Sequence, residues 1–198
     1  YQPWWTFDSH TLSHYRGEAG FHYTVTVGDG QNRRTEQRTR WESRDGVYEE
    51  FIDDLPVPAG DFLEWSNDHF DLQSLAPYDP SFLAGHSATT ATRDPQRGWS
   101  DAKQRMESRL LQTCTERIGG DTQRNVEVVT AHRGVRYKLI LLPRWQGGFR
   151  YRGKAFVISV NGQTGRVVGD RPWSAVKITS AIVTGLILIG VVIYFFNR

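Results

Sequence analysis

The first part of the chain alternates between short β-prone runs and turn residues, a pattern typical of antiparallel strands. The expected strands are 21–27, 35–43 and 47–52, and the expected turns are 28–30 and 44–46. Pro56 and Pro58 then end the strands, because proline cannot donate a hydrogen bond within a central ladder. Residues 77–98 mix proline, glycine, serine and threonine, so we expect a connection there between two halves of the chain.

An amphipathic helix is expected next, because apolar residues recur every four positions with charged residues between them. Ser100 is the expected N-cap, and Gly119 and Gly120 end the helix. The apolar stripe consists of Ala102, Met106, Leu110, Cys114 and Ile118. Cys114 is the single cysteine, which excludes an internal disulfide and a zinc site built from this chain's own cysteines. Its place in the stripe indicates a core residue rather than a reactive thiol.

Strand patterns return after the helix. The expected strands are 125–131, 137–145, 149–160 (broken by Gly153) and 166–168, with a strong turn, Asn-Gly-Gln-Thr-Gly, at 161–165. The predicted fold class is therefore α+β: a strand-rich N-terminal half, then one long helix packed on an antiparallel meander, plus one C-terminal transmembrane helix. The predicted domains are a β-rich N-terminal region at 1–97, the helix plus antiparallel sheet at 98–172, and a transmembrane anchor at 173–198.

The membrane helix is expected over residues 178–196, nineteen residues without a charge. A helix needs about 20 apolar residues to cross the hydrocarbon core, and a core helix of a soluble protein is seldom apolar all round. The residues expected at the membrane interface are Arg171, Trp173, Lys177 and Tyr194. Because only Asn197 and Arg198 follow, we expect a tail anchor. The mean hydropathy of −0.52, typical of a soluble protein, hides this segment.

The charge distribution predicts an orientation in the membrane. Residues 133–177 contain ten Lys or Arg against one acid, whereas residues 1–132 contain 13 basic and 21 acidic residues. The positive-inside rule keeps such a membrane-proximal basic stretch in the cytoplasm and sends the C-terminus across the bilayer. We therefore expect a single-pass protein of the inner (cytoplasmic) membrane with its large domain in the cytoplasm.

The basic stretch includes a candidate surface that consists of Arg150, Arg152, Lys154 and Arg166. Basic residues near a cytoplasmic leaflet each contribute about 1 kcal/mol of attraction to anionic lipid headgroups. The same residues also fit strand positions that simply face water, and both interpretations stay open. A nucleic-acid surface is a third interpretation and not the first choice.

Small residues within the expected membrane helix suggest a packing surface. They are Ser180, Ala181, Thr184, Gly185 and Gly190. Helices in lipid approach closely where their side chains are small, since packing drives their association. We therefore expect a helix of another membrane protein to pack here, although small residues are common in membrane spans generally.

The candidate catalytic motifs are incomplete. Residues 148–154 match Gly-x4-Gly-Lys, but Ala155 stands where a phosphate-binding loop needs Ser or Thr, and a β-prone run follows instead of a helix. The six histidines lack metal-binding spacing such as His-Glu-x-x-His. The acids at 49, 50, 53, 54, 61 and 64 suit a cation site or a solvated face, and we favour the solvated face. We expect no catalytic residues, no cofactor and no metal, and hence no enzyme.

Several short motifs together carry a family resemblance. They are Pro-Trp-Trp-Thr-Phe-Asp at 3–8, Leu-Leu-Pro-Arg-Trp at 141–145, Tyr-Arg-Gly-Lys at 151–154 and Asn-Gly-Gln-Thr-Gly-Arg-Val at 161–167. In this order the chain resembles a family of uncharacterised bacterial tail-anchored membrane proteins, sometimes labelled primosomal or helicase-like. The resemblance implies an N-terminal zinc ribbon, a soluble region and a C-terminal span. This chain contains no ribbon cysteines and no complete phosphate-binding loop.

The expected function follows from the anchor and the surfaces. It is a non-enzymatic, single-pass accessory or scaffold subunit that docks onto a larger integral membrane protein complex. Anionic lipid headgroups are the second expected partner. The alternative is a membrane-tethered module that binds nucleic acid or another ligand, assisted by a zinc ribbon upstream.

Overall fold

The computed structural model describes residues 1–28, 33–62, 69–170, 172 and 174–196. By internal contacts the chain divides into two units. The first contains Tyr1–Glu64 and Asp71–Leu142, and the second contains Trp65–Phe70 and Pro143–Arg198. The domain boundaries expected at 97/98 and 172/173 stay predictions.

The first unit is built on three very long antiparallel strands. They are β1 (Gln2–Val27), β2 (Arg34–Pro58) and β3 (Thr122–Leu142). Their order is β2-β1-β3, so β1 is hydrogen-bonded on both sides, while β2 and β3 form the edges. Proline is tolerated on an edge strand, where its missing N–H faces away from the ladder. For this reason β2 continues through Pro56 and Pro58, and the end expected before them is wrong.

The turn expected at 44–46 is also wrong. These residues lie inside β2, opposite Tyr15, Arg16 and Gly17 of β1. A Cβ atom at Gly46 would lie 2.6 Å from Cζ of Tyr15, so the glycine lets the tyrosine ring cover the partner strand. In the same way β3 joins two strands that were expected separately, 125–131 and 137–145. Glycine inside a strand marks a close approach as readily as a turn.

Helix α1 (Pro95–Ile118) begins five residues before the N-cap expected at Ser100. Asp94 is the N-cap, because its Oδ1 accepts a hydrogen bond from the Arg97 N–H at 2.7 Å, and Pro95 suits the first helical position. The buried residues of the helix are Gly98, Ala102, Met106, Leu110, Cys114 and Ile118.

The helix covers the long sheet of the first unit. Ala102, Met106 and Leu110 form one core cluster with Phe7 of β1 and with Ile52 and Val57 of β2. The expectation that the helix packs on a meander formed by residues 125–168 is therefore wrong. Its apolar stripe was visible in the sequence, but the surface that receives it comes from strands far away along the chain.

The second unit contains a smaller antiparallel sheet and the C-terminal helix. Its elements are β4 (Arg144–Tyr151), β5 (Lys154–Asn161), β6 (Val167–Gly169) and α2 (Ala175–Phe196). Arg152 and Gly153 both have positive φ, which is the backbone of a tight β4–β5 hairpin turn. The turn expected at 161–165 is confirmed, because Asn161 Oδ1 accepts hydrogen bonds from the backbone N–H groups of Gln163 and Thr164.

The core predicts a sharp difference between two neighbouring leucines of α1. Leu110 is fully buried, whereas Leu111 is 45% exposed. Leu110→Ala is expected to lower the free energy of unfolding by about 2–5 kcal/mol, because it leaves a cavity. Leu111→Ala serves as the matched control and is expected to cost less than about 1 kcal/mol. Urea unfolding of the full chain in detergent, followed by tryptophan fluorescence, measures both; equal costs would contradict the packing described.

Candidate functional site

Helix α2 carries an apolar surface that its own chain leaves uncovered. None of the stretch Thr179–Phe196 is buried, and it is long and apolar enough to cross a membrane. Large side chains such as those of Leu186 and Phe195 are exposed on the surface of the helix. A helix of a soluble protein that is apolar all round is normally buried in a core. Within the part of the chain that the structure describes, this helix is therefore the candidate for a membrane span.

The expected interface residues are described in part. Arg171 and Trp173 lie outside the described residues. Lys177 lies in the first turn of α2 and Tyr194 in its last turn, and both side chains are exposed. They are separated by about 26 Å at 1.5 Å per residue, close to the thickness of a hydrocarbon core of about 30 Å. The Tyr194 ring meets the Phe195 ring edge-on, with the centroids 5.8 Å apart.

Four of the five expected packing residues share one face of α2. Ser180, Ala181, Thr184 and Gly185 are spaced one and four residues apart, which is one side of a helix. Gly190 follows Ala181 by two and a half turns and therefore lies on the other side. A Cβ atom added at Gly185 would meet nothing within 4 Å.

The hydroxyl groups on this face are satisfied within the helix itself. Ser180 Oγ donates to the Lys177 carbonyl at 3.0 Å, and Thr184 Oγ1 donates to the Ser180 carbonyl at 2.9 Å. Such bonds to the preceding turn leave little polarity for lipid or a partner helix to solvate. The face is therefore small and smooth, and largely apolar.

The structure brings three of the four expected basic residues together. Arg150, Arg152 and Lys154 lie at the β4–β5 turn, and all three are exposed. Arg166 lies in the connection between β5 and β6, at the opposite end of the small sheet. The Arg152 guanidinium lies 5.4 Å from the centre of the Tyr151 ring.

The same hairpin carries an aromatic face that was not predicted from the sequence. Phe149 and Phe156 are directly opposite each other and stack with ring centroids 5.3 Å apart. Because side chains alternate across a strand, Trp145 and Tyr151 share the face of Phe149. Trp145 is 64% exposed, and Tyr151 is 46% exposed. The aromatic residues at alternate positions of β4 were the available signal.

Two glycines flank Ile158 on this aromatic face. Gly147 of β4 and Gly169 of β6 lie directly opposite Ile158 of β5, on its two sides. The Ile158 side chain lies close to both glycine positions. The name hairpin face is used below for Ile158 together with the rings of Trp145, Phe149, Tyr151 and Phe156.

A polar cluster interrupts the long sheet of the first unit at a β-bulge around Asp8. Asp8 Oδ1 accepts a hydrogen bond from the Asp54 backbone N–H at 2.9 Å. The carboxylates of Asp8, Asp53 and Asp54 lie within 4.8 Å of one another. Lys138 Nζ reaches the largely buried Asp54 carboxylate at 2.6 and 2.9 Å, and this hydrogen bond raises the pKa of Lys138. A resident lysine ammonium thus already neutralises part of the cluster's charge.

The other acids considered for a cation site are dispersed. Glu50 pairs with Arg109 of α1, and Asp61 pairs with Arg93 at 2.9 Å. Glu49 is exposed, and position 64 lies outside the described residues. Several of these carboxylates are therefore engaged in ion pairs. Asp53 and Asp54 lie close to each other, in the cluster with Asp8.

His132 is a nearly buried histidine between β1 and α1. Its Nδ1 lies 3.2 Å from Ser9 Oγ, and its ring meets Trp99 edge-on. Among the described residues its Nε2 has no hydrogen-bond partner, and Glu107 Oε1 lies 3.8 Å away. Burial lowers the pKa of His132, with Glu107 opposing this effect and Lys103 adding to it.

The first unit also contains an apolar cavity of about 420 Å³. Its lining residues are Tyr1, Leu75, Ala76, Tyr78, Phe82, Leu83, Leu139, Ile140 and Leu141. Cavities of this size and composition suit small apolar ligands.

The comparisons with known proteins give one distant relative. The chain is 24% identical over 181 residues to a curated protein of Bacillus subtilis (strain 168), "Uncharacterized protein YdjG". The match covers 91% of this chain and 53% of that protein, so the chain spans about half the length of its relative. No protein-family model matches the chain, and no solved structure matches it. The resemblance to a zinc-ribbon membrane family stays a prediction.

The environment of His132 predicts that acid destabilises the first unit. Its folded-state pKa lies below the ordinary 6.5, so the unfolded chain takes up the proton first as the pH falls. The neutral side chain therefore contributes fully above about pH 6.5, and its contribution is lost as the pH falls through the folded-state pKa. His132→Gln is expected to reduce the loss of stability between about pH 7.5 and pH 5.

Urea unfolding at the two pH values measures this effect. His14→Gln is the control, because His14 is exposed on β1. The prediction fails if the His132 variant loses as much stability in acid as the unchanged protein does.

Proposed function

We propose that this protein is a non-enzymatic, single-pass membrane accessory or scaffold subunit that docks onto a larger membrane protein complex. The observation that carries the proposal is helix α2, whose stretch Thr179–Phe196 is not buried at all. A helix that its own fold does not cover needs lipid or another protein around it. Fully burying one Leu, Ile, Val or Phe is favourable by about 1.5–3 kcal/mol, so leaving a whole helix of them in water is very costly.

The small face of α2 supports docking within the membrane. Ala181 and Gly185 are one turn apart, and the hydroxyls of Ser180 and Thr184 are satisfied inside the helix. A partner helix therefore gains close van der Waals contact without having to satisfy polar groups. The partner in this proposal is a helix of an integral membrane complex.

The proposed location is the inner (cytoplasmic) membrane, with the large domain in the cytoplasm. The support is the excess of Lys and Arg in residues 133–177, immediately before α2. The cations at the β4–β5 turn would then face the anionic leaflet, in keeping with lipid headgroups as a second partner.

A second candidate function is a membrane-tethered ligand-binding module. The observation in its favour is the apolar cavity of about 420 Å³ in the first unit. In this alternative the helix only holds the module at the membrane, and changes to the face of α2 leave its binding unaffected.

Membrane insertion can be tested by fractionation. The full chain is expected to stay in the membrane pellet after alkaline carbonate extraction, whereas Leu186→Lys with Ile189→Lys moves it to the supernatant. Each lysine at the centre of a span costs about 3 kcal/mol. Val129→Lys, at an exposed strand position of the first unit, is the control and leaves the distribution unchanged. An unchanged pellet fraction for the doubly substituted helix would contradict a membrane span.

Orientation is tested on the same cells by protease treatment. Intact spheroplasts are expected to protect the large domain, and opened spheroplasts to expose it. Digestion of the large domain from outside the intact spheroplasts would overturn the cytoplasmic orientation.

Docking is tested by enlarging the small face of α2. Ala181→Leu with Gly185→Leu is expected to lower the recovery of co-purifying membrane proteins at least about fivefold, since loss of about 1 kcal/mol of packing already has that effect. Ile182→Phe with Leu186→Phe adds bulk on the opposite face and serves as the matched control. Mass spectrometry after gentle detergent extraction provides the measurement. Equal recovery from both variants would argue against docking through this face.

A further inference from the structure

The small sheet directs the chain toward the membrane at one particular end. β6 runs antiparallel to β5, with Val167 opposite Val160 and Gly169 opposite Ile158. The chain therefore travels toward the β4–β5 turn as it leaves the sheet. The Asp170 backbone N–H still bonds to the Val157 carbonyl at 3.1 Å, which continues this path by one residue.

The connection from the sheet to α2 is short. From Asp170 to the start of α2 at Ala175 the chain spans at most about 18 Å. The β4–β5 turn lies about 15 Å beyond Val157 along the strand. The first turn of α2 is therefore tethered within about 18 Å of Asp170, a distance that allows it to reach the hairpin turn.

The residues near this turn have the chemistry of a membrane interface. Phe149 and Tyr151 present exposed rings on one side of β4 close to the turn, and Trp145 presents a third ring further along the same side. Amphipathic rings are enriched at the headgroup level of membranes. Arg150, Arg152 and Lys154 surround the turn. Asp170 is the single acid of the sequence between positions 143 and 177. Cations beside exposed rings, with one acid to oppose them, are complementary to anionic headgroups.

We propose that the hairpin face and the β4–β5 turn form a second membrane contact, seated in the headgroup region of an anionic leaflet. The inference rests on the proposed function in one respect, namely that α2 crosses the bilayer. It deepens that function, because a single span leaves the small sheet free to rotate relative to the membrane. A second contact holds the sheet against the membrane surface. Nucleic acid also carries phosphates and stacks on aromatic rings. The membrane is favoured because β6 runs toward the hairpin turn shortly before α2 begins.

The test uses the full chain in lipid nanodiscs with an environment-sensitive fluorophore. The label is attached at Tyr151→Cys on the hairpin face, in a Cys114→Ala background. Ala155→Cys is the matched control, since Ala155 is exposed on the opposite face of the same hairpin. Discs contain phosphatidylcholine alone or with about 30% phosphatidylglycerol, and a spin-labelled lipid carries the quencher at headgroup depth.

The expected result is quenching at position 151 that is at least about twofold stronger than at 155, and stronger in anionic than in neutral discs. Arg150→Glu, Arg152→Glu and Lys154→Glu together are expected to remove the difference. Equal quenching at the two positions, or quenching indifferent to lipid charge, overturns the inference. Emission at 151 that responds to oligothymidylate and not to anionic lipid overturns it in favour of nucleic acid.

Failure of this inference is distinguishable from failure of the proposed function. Co-migration of the chain with the discs through a carbonate wash reports on α2 separately. If the helix stays inserted while the Tyr151 position is not quenched, only the second contact is wrong. If the chain leaves the discs, both the membrane span and the second contact are wrong.

Discussion

The uncovered apolar surface of α2 is the constraint on which the account of this protein depends. Thr179–Phe196 is strongly apolar, with large side chains on most of its surface, and the fold buries none of this stretch. In water such a helix is costly, whereas in a bilayer its backbone is satisfied internally and its side chains match the lipid. The short connection after β6 keeps the small sheet close to the start of α2 along the chain. The proposed role of the hairpin face and its cations depends on that connection and on α2 crossing the bilayer.

The first unit is organised around its central strand, which needs hydrogen-bond partners along both edges and packing partners for its apolar side chains. β1 pairs with β2 and with β3, and α1 covers Phe7 and its neighbours. The bulge at Asp8 interrupts this regular arrangement and gathers three carboxylates, of which Asp54 is held by Lys138. A buried carboxylate without its cation is strongly destabilising, so the Asp54–Lys138 pair has a structural role in the sheet. The apolar cavity beside Tyr78 offers this unit about 420 Å³ of room for a ligand.

Features that are encoded by neighbouring residues were predicted correctly from the sequence. Features that depend on contacts between distant parts of the chain could not be predicted. The apolar run of α2 and the Asn161 turn are encoded within a few consecutive residues, so both could be read directly. The turn expected at Gly46 failed because the glycine accommodates the Tyr15 ring of a distant strand. The predicted packing of α1 was wrong for a similar reason, since its partners Val57 and Phe7 lie far from it in sequence. The exposure of Trp145 depends on which strands flank β4, and composition carries no information about that.

The most direct test of the central claim is backbone hydrogen exchange of the full chain in nanodiscs, followed by mass spectrometry. Amides in a bilayer core are shielded from water and bonded within the helix. The account predicts strong protection throughout Thr179–Phe196, continuous from one end to the other. Exchange of this segment at the rate of exposed strand ends such as Val27, with the first unit still protected, would contradict it.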